Sequence, residues 1–154
     1  MKVFLINPGA VDDYVYHLAT GLSSQTINVH VFGSNSYFGK RLAFKNINYY
    51  NYFFDVNAIR FPFLKKALKV CLYLFLQFFI LKKIIQQKPD IIHMQWSRMP
   101  ILDSIFIKLF RRHAPIIFTL HNTTLNHGDT SVVLKILNWG FRTFLRSVST
   151  IILH

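Results

Sequence analysis

The chain has 154 residues, 52% of them apolar, and carries 18 lysines and arginines against 6 acidic residues, for a formal charge of +12. That length and apolar content exclude a disordered chain and allow one domain with a real core. Cys71 is the only cysteine, so an internal disulfide is excluded and a reducing compartment is the simple reading.

In chain order, Lys2–Asn7 reads as a first strand buried on both faces. Its apolar run is too short for a signal peptide and has no small-residue cleavage site. Pro8-Gly9-Ala10 is a tight turn, and Asp12 can cap a helix with Val15, Leu18, Ala19 and Leu22 at helical spacing. Ser23-Ser24 close that helix. Ile27–Phe32 alternates like a second strand, Gly33–Gly39 is loop, and the aromatic stretch Ile47–Phe54 is an edge-like third strand.

Phe63–Gln87 reads as a basic apolar helix, with Lys65, Lys66, Lys69, Lys82 and Lys83 around the uncharged core Val70–Leu81. The 12 residues of that core rise about 18 Å as a helix against roughly 30 Å of hydrocarbon, too little to span a membrane. Two short apolar runs follow, Pro89–Met94 and Pro115–Leu120, and each delivers a histidine, His93 and His121, at or just past its end. Between them Pro100 starts a helix with Ile101, Ile105 and Leu109 on one face and Lys108, Arg111 and Arg112 near its end. Asn122–Thr130 is loop, Ser131–Arg146 is helical, and Ser149–His154 begins another strand.

Helices alternating with apolar strands specify one α/β domain, a doubly wound parallel sheet of Rossmann-like type. No repeat or linker divides it. In such sheets ligands bind beyond the carboxyl ends of the strands, where His93 and His121 fall. A histidine there can act as a base or bond a substrate hydroxyl; the plain alternative is a structural histidine. Trp96 can stack on a sugar ring or cover the core. The turn at Gly9 and Ala10 can cradle a phosphate or be an ordinary βα turn. Asp103 and Asp129 are the only acids near these loops and do not form a carboxylate pair. No His, Cys, Asp or Glu cluster has metal-ligand spacing, so neither a metal nor a resident cofactor is assigned.

The Phe63–Gln87 helix has three readings. Its apolar character on nearly all faces suits a core helix. Lysines at both ends suit an anionic membrane surface. Nucleic acid is the poorest fit, because Leu72-Tyr73-Leu74-Phe75-Leu76 offers no polar face.

The helix Asp13-Tyr14-Val15-Tyr16-His17-Leu18-Ala19-Thr20-Gly21-Leu22, the run Lys88-Pro89-Asp90-Ile91-Ile92-His93-Met94-Gln95-Trp96 and the run Pro115-Ile116-Ile117-Phe118-Thr119-Leu120-His121-Asn122 occur in an order that resembles the N-terminal half of GT-B-fold glycosyltransferases, especially the retaining family 4 type. The resemblance covers nearly the whole chain, residues 1–154. It implies transfer of a sugar from a nucleotide-sugar donor, as substrate, to a polysaccharide or lipid-linked acceptor held by this half. It places His121 beside the donor sugar in a positioning role, Gly9 and Ala10 at the donor phosphates, and His93, Trp96 and Asn122 on the acceptor side. Front-face attack assisted by the leaving phosphate needs no enzyme nucleophile.

The family also uses a second, nucleotide-binding domain with a glutamate-rich motif, and this sequence contains no glutamate. The chain alone is therefore expected to be inactive. It is read as a fragment or remnant, or as one subunit of a split enzyme that recruits a separate catalytic subunit to the membrane. The location expected is cytoplasmic and peripheral, at the inner face of the membrane.

Overall fold

A computed structural model describes residues 1–8, 12–33, 47–51, 62–120 and 132–153, with side chains placed except at 12, 62–67 and 132–138. Its elements in chain order are β1 (Lys2–Ile6), α1 (Asp12–Ser24), β2 (Asn28–Gly33), β3 (Ile47–Asn51), α2 (Pro62–Gln87), β4 (Ile91–Met94), α3 (Pro100–Phe110), β5 (Ile116–Leu120), α4 (Val132–Ser147) and β6 (Thr150–Leu153). Each element expected from the sequence forms, with ends shifted by one to three residues.

The six strands make one sheet in the order β3-β2-β1-β4-β5-β6. All neighbours are parallel, with Phe4 opposite His30 on one side and Ile92 on the other. Side-chain alternation divides the core in two. Val3 and Leu5 of β1 face α1, where they meet Val15, Ala19, Val29 and Val31. Phe4 and Ile6 point the other way, into a larger cluster with Phe32, Ile80, Ile84, Phe106, Phe110 and Phe144. That cluster seats α2, α3 and α4 on one face of the sheet. Each fully buried Phe or Ile there contributes about 2 kcal/mol, which explains why strands with no polar face form the centre of the sheet.

Two details fix helix positions. Lys88 has φ 47°, so α2 ends in a left-handed residue whose N–H donates to the Ile84 carbonyl, and Pro89 follows. Gly140 of α4 lies so close to α3 that a Cβ there would come within 3.1 Å of the Ile101 backbone nitrogen. Only glycine allows that approach.

His30 is buried in the larger core between Phe4 and Tyr50, with Nδ1 3.2 Å from the Tyr50 hydroxyl and Nε2 without a hydrogen-bond partner. Burial, and then the positive charges of Lys2 and Lys83, lower its pKa from 6.5 to about 4. The folded protein therefore binds a proton here less readily than the unfolded chain. Stability is full above pH 6.5 and declines as pH falls toward 4, by roughly 2 to 3 kcal/mol at pH 4.5. Urea unfolding at pH 7.5 and 4.5 should show that loss, and His30→Phe should remove most of it. An unchanged acid limb in the variant would assign the loss to other groups.

Candidate functional site

The strand order sets the place where a ligand can enter. The chain leaves β1 toward β2 on one side and leaves β4 toward β5 on the other. The loops that follow β1 and β4 therefore diverge and open a crevice at the carboxyl ends of these two strands. Asn7 and Gln95 extend the ladder one residue past the strands. Asn7 N–H donates to the Phe32 carbonyl and Gln95 N–H to the Ile6 carbonyl, both at 2.9 Å. Both side chains are buried.

Beneath the crevice lies a small polar group. His93 Nε2 is 2.8 Å from the Thr119 hydroxyl and 2.9 Å from the Gln95 amide nitrogen. With that amide as donor, Nε2 is the acceptor and the ring hydrogen sits on Nδ1. The Gln95 carbonyl oxygen is buried with no hydrogen-bond partner. The structure thus places His93 inside the sheet, tied to β5 through Thr119, rather than on its rim. Trp96 is half-buried at the start of the β4–α3 loop.

Among the other sequence-derived candidates, Gly9, Ala10, His121 and Asn122 lie outside the described residues, as do the side chains of Lys65 and Lys66. Lys69 and Lys82 are exposed on α2, and Lys83 lies over the rings of Tyr50 and Phe79 at 5.4 and 5.5 Å. No group of three His, Cys, Asp or Glu residues that could hold a metal ion occurs among the described residues.

The side chain that organises the β4–α3 loop is Asp103, marked in the sequence only as an acid near these loops with no carboxylate partner. Asp103, in the first turn of α3, is only 1% exposed. Its Oδ1 accepts from the Tyr73 hydroxyl at 2.5 Å and the Gln77 amide at 3.1 Å. Its Oδ2 accepts from the Ser97 hydroxyl at 2.7 Å and the Met99 N–H at 3.1 Å. Burial raises the carboxyl above the usual aspartate range, and bonds from Tyr73, Ser97 and Met99 pull it back. Burial and the neighbouring carboxylate push the Tyr73 hydroxyl well above its ordinary value, which keeps it a donor. The helix dipole favours a negative charge at this end of α3. Four donors occupy the carboxylate, so its work is to hold α2, the loop and α3 together.

The sequence signal for this cluster was faint but real. Tyr73 and Gln77 stand one turn apart in the otherwise apolar stretch Val70–Leu81 of α2, and Asp103 is the one acid in α3.

The family model described as Glycosyltransferase Family 4 matches residues 11–154. No curated protein matches the chain. Among solved structures, MurG of Acinetobacter baumannii is similar at 14% identity and TM-score 0.61, covering 99% of this chain and 40% of its own. A glycosyltransferase from Rickettsia africae ESF-5 is similar at 16% identity and TM-score 0.56, covering 87% of this chain and 34% of its own. Glycyrrhiza uralensis UGT73P12, solved with glycyrrhetinic acid 3-O-monoglucuronide, is similar at 10% identity and TM-score 0.50, covering 79% and 28%. At these identities the likeness is one of fold, and the chain spans less than half the length of each.

Asp103→Asn keeps the volume but turns one acceptor oxygen into a donor facing Tyr73 and Gln77 or Ser97 and Met99. It should cost about 2 to 4 kcal/mol in urea unfolding, and Tyr73→Phe about 1 to 2 kcal/mol. A change below about 0.5 kcal/mol in the first would contradict the role given to this carboxylate.

Proposed function

This chain belongs to Glycosyltransferase Family 4, and from that premise we propose that it is the acceptor-binding half of an enzyme that transfers a sugar from a nucleotide-sugar donor to a polysaccharide or lipid-linked acceptor. The observation that carries this reading is the crevice between β1 and β4, bordered by the loops that the family resemblance assigns to donor phosphates and acceptor. The described polar groups beneath it are Asn7, His93, Gln95 and Thr119, all buried. They form a buried polar floor, and the sugar hydroxyls are left to the rim residues His121, Trp96 and Asn122.

In this mechanism the chemistry needs no nucleophile from the protein. The leaving phosphate takes the acceptor proton while the acceptor oxygen attacks on the same face. His121, directly after β5, bonds the donor sugar and orients it. Gly9 and Ala10 bring backbone N–H groups to the donor phosphates. His93 acts indirectly, by holding β4 to β5 under the loop that carries Trp96, and Asn122 contacts the acceptor. The nucleotide is held by the second, nucleotide-binding half that the family uses; the alternative reading is a non-catalytic subunit that recruits a split enzyme to the membrane.

An anionic membrane surface is the second part of the proposal. No described helix is long and apolar enough to cross a membrane. Yet α2 carries apolar residues on both sides. Tyr73, Leu76, Gln77, Ile80 and Ile84 face the core. Cys71, Phe75, Phe78, Lys82 and Ile85 recur at heptad spacing on the opposite, exposed side, with Phe75 67% and Phe78 60% exposed. Exposed aromatic side chains bordered by lysines fit a lipid interface with its acidic headgroups. That location would bring a lipid-linked acceptor to the crevice from the cytoplasmic side.

In the complete enzyme, His121→Ala should lower transfer by about 100-fold or more with thermal unfolding unchanged. Turnover within about threefold of normal would end the role assigned to His121. Sedimentation with anionic liposomes tests the surface. Changing Lys65, Lys66, Lys82 and Lys83 to Gln should weaken binding by roughly 4 kcal/mol at about 1 kcal/mol each. Failure of the unmodified chain to bind such liposomes at any salt concentration would remove the membrane from the account.

A further inference from the structure

α3 runs from the carboxyl end of β4 to the amino end of β5, and α4 runs likewise toward β6. Their last turns therefore meet at the edge of the sheet opposite the crevice. They enclose an open depression of about 380 Å³ lined by Lys108, Arg111, Arg112, Arg146 and Ser147. Four of the five lining residues are cationic, and none carries a carboxylate.

Basic residues at a helix end ordinarily complement the dipole and bond the last carbonyls. Here much of that need is already met. The N–H groups of Arg111, Arg112 and His113 take the carbonyls of Ile107, Leu109 and Phe110. The Arg111 guanidinium reaches the Ser147 carbonyl at 3.5 Å. The side chains of Lys108, Arg112 and Arg146 have no hydrogen-bond or ion-pair partner among the described residues.

We propose that this depression binds a phosphate group, either free or as the phosphodiester of an anionic lipid headgroup. The planar forks of Arg112 and Arg146 can each bond two phosphate oxygens, and Lys108 supplies a point charge beside them. Ile105, one turn before Lys108 and 55% exposed, leaves apolar surface next to the anion, as a lipid would use and a free phosphate would not. The site shares no residue with the crevice, so it stands or falls separately from the transferase reading.

The test titrates the full chain with inorganic phosphate by calorimetry. In parallel it is mixed with phosphatidylcholine vesicles, with and without phosphatidylglycerol. At least one probe should bind saturably, and Arg112→Gln/Arg146→Gln should weaken that binding at least about tenfold. The equal-charge variant Lys2→Gln/Lys88→Gln, outside both this depression and the lysines of α2 assigned to the membrane, should weaken it by less than about threefold. Saturable inorganic phosphate binding assigns a soluble ligand, and binding only to phosphatidylglycerol vesicles assigns a headgroup; either result supports the site. Absence of binding by both probes overturns it, and so does equal weakening in the two variants. Should the double variant fail to fold, Arg112→Gln alone, at an exposed side chain, repeats the comparison.

Discussion

The rotational setting of α2 depends on one buried carboxylate. Asp103 accepts hydrogen bonds from Tyr73 and Gln77 of α2 and from Ser97 and Met99 of the β4–α3 loop. The stretch Val70–Leu81, apolar on nearly all faces, has little hydrophobic reason to present one side to the core over another. The need to satisfy a buried anion supplies that reason. With Tyr73 and Gln77 turned inward, Phe75 and Phe78 must turn outward. The same bonds brace the loop that borders the crevice. One interaction thus links the exposed apolar side of α2 with the loop that borders the crevice.

Charge reinforces that arrangement. Of the six acidic residues, Asp103 is enclosed by donors, and Asp90 accepts from the Lys2 backbone N–H at 2.6 Å. Six carboxylates against 18 lysines and arginines leave a formal charge of +12. Long-range attraction to an anionic surface follows from that imbalance, and the apolar stripe on α2 gives it a direction.

Much of the fold was legible in the sequence. Lys2–Ile6 and Ile116–Leu120 are short runs with no polar face or nearly none, which only a strand buried on both sides explains. The helix after Pro100 announced itself by its proline and its apolar spacing. Strand order was not legible, because parallel neighbours are chosen by crossovers and not by local pattern. Nor was the orientation of α2. Hydropathy alone ranks Phe75 and Phe78 above Tyr73 and Gln77 for burial, and the structure reverses them. The partner that reverses them, Asp103, stands 30 residues from Tyr73 in sequence. His93 was legible as a residue at the working edge of the sheet, with burial as its plain alternative. Its bonds to Thr119 and Gln95 place it one layer beneath that edge.

The central claim is that one side of α2 belongs to the core and the other to a lipid surface. Cys71, the only cysteine, lies exposed on that outer side. A small fluorophore attached there, in the full chain mixed with anionic vesicles whose acyl chains carry bromine, tests the claim most directly. The account requires strong quenching at Cys71. It requires none from the same label on α1, placed by His17→Cys in a Cys71→Ser background. Vesicle-bound protein with an unquenched label at Cys71, or with quenching on α1 instead, would contradict it.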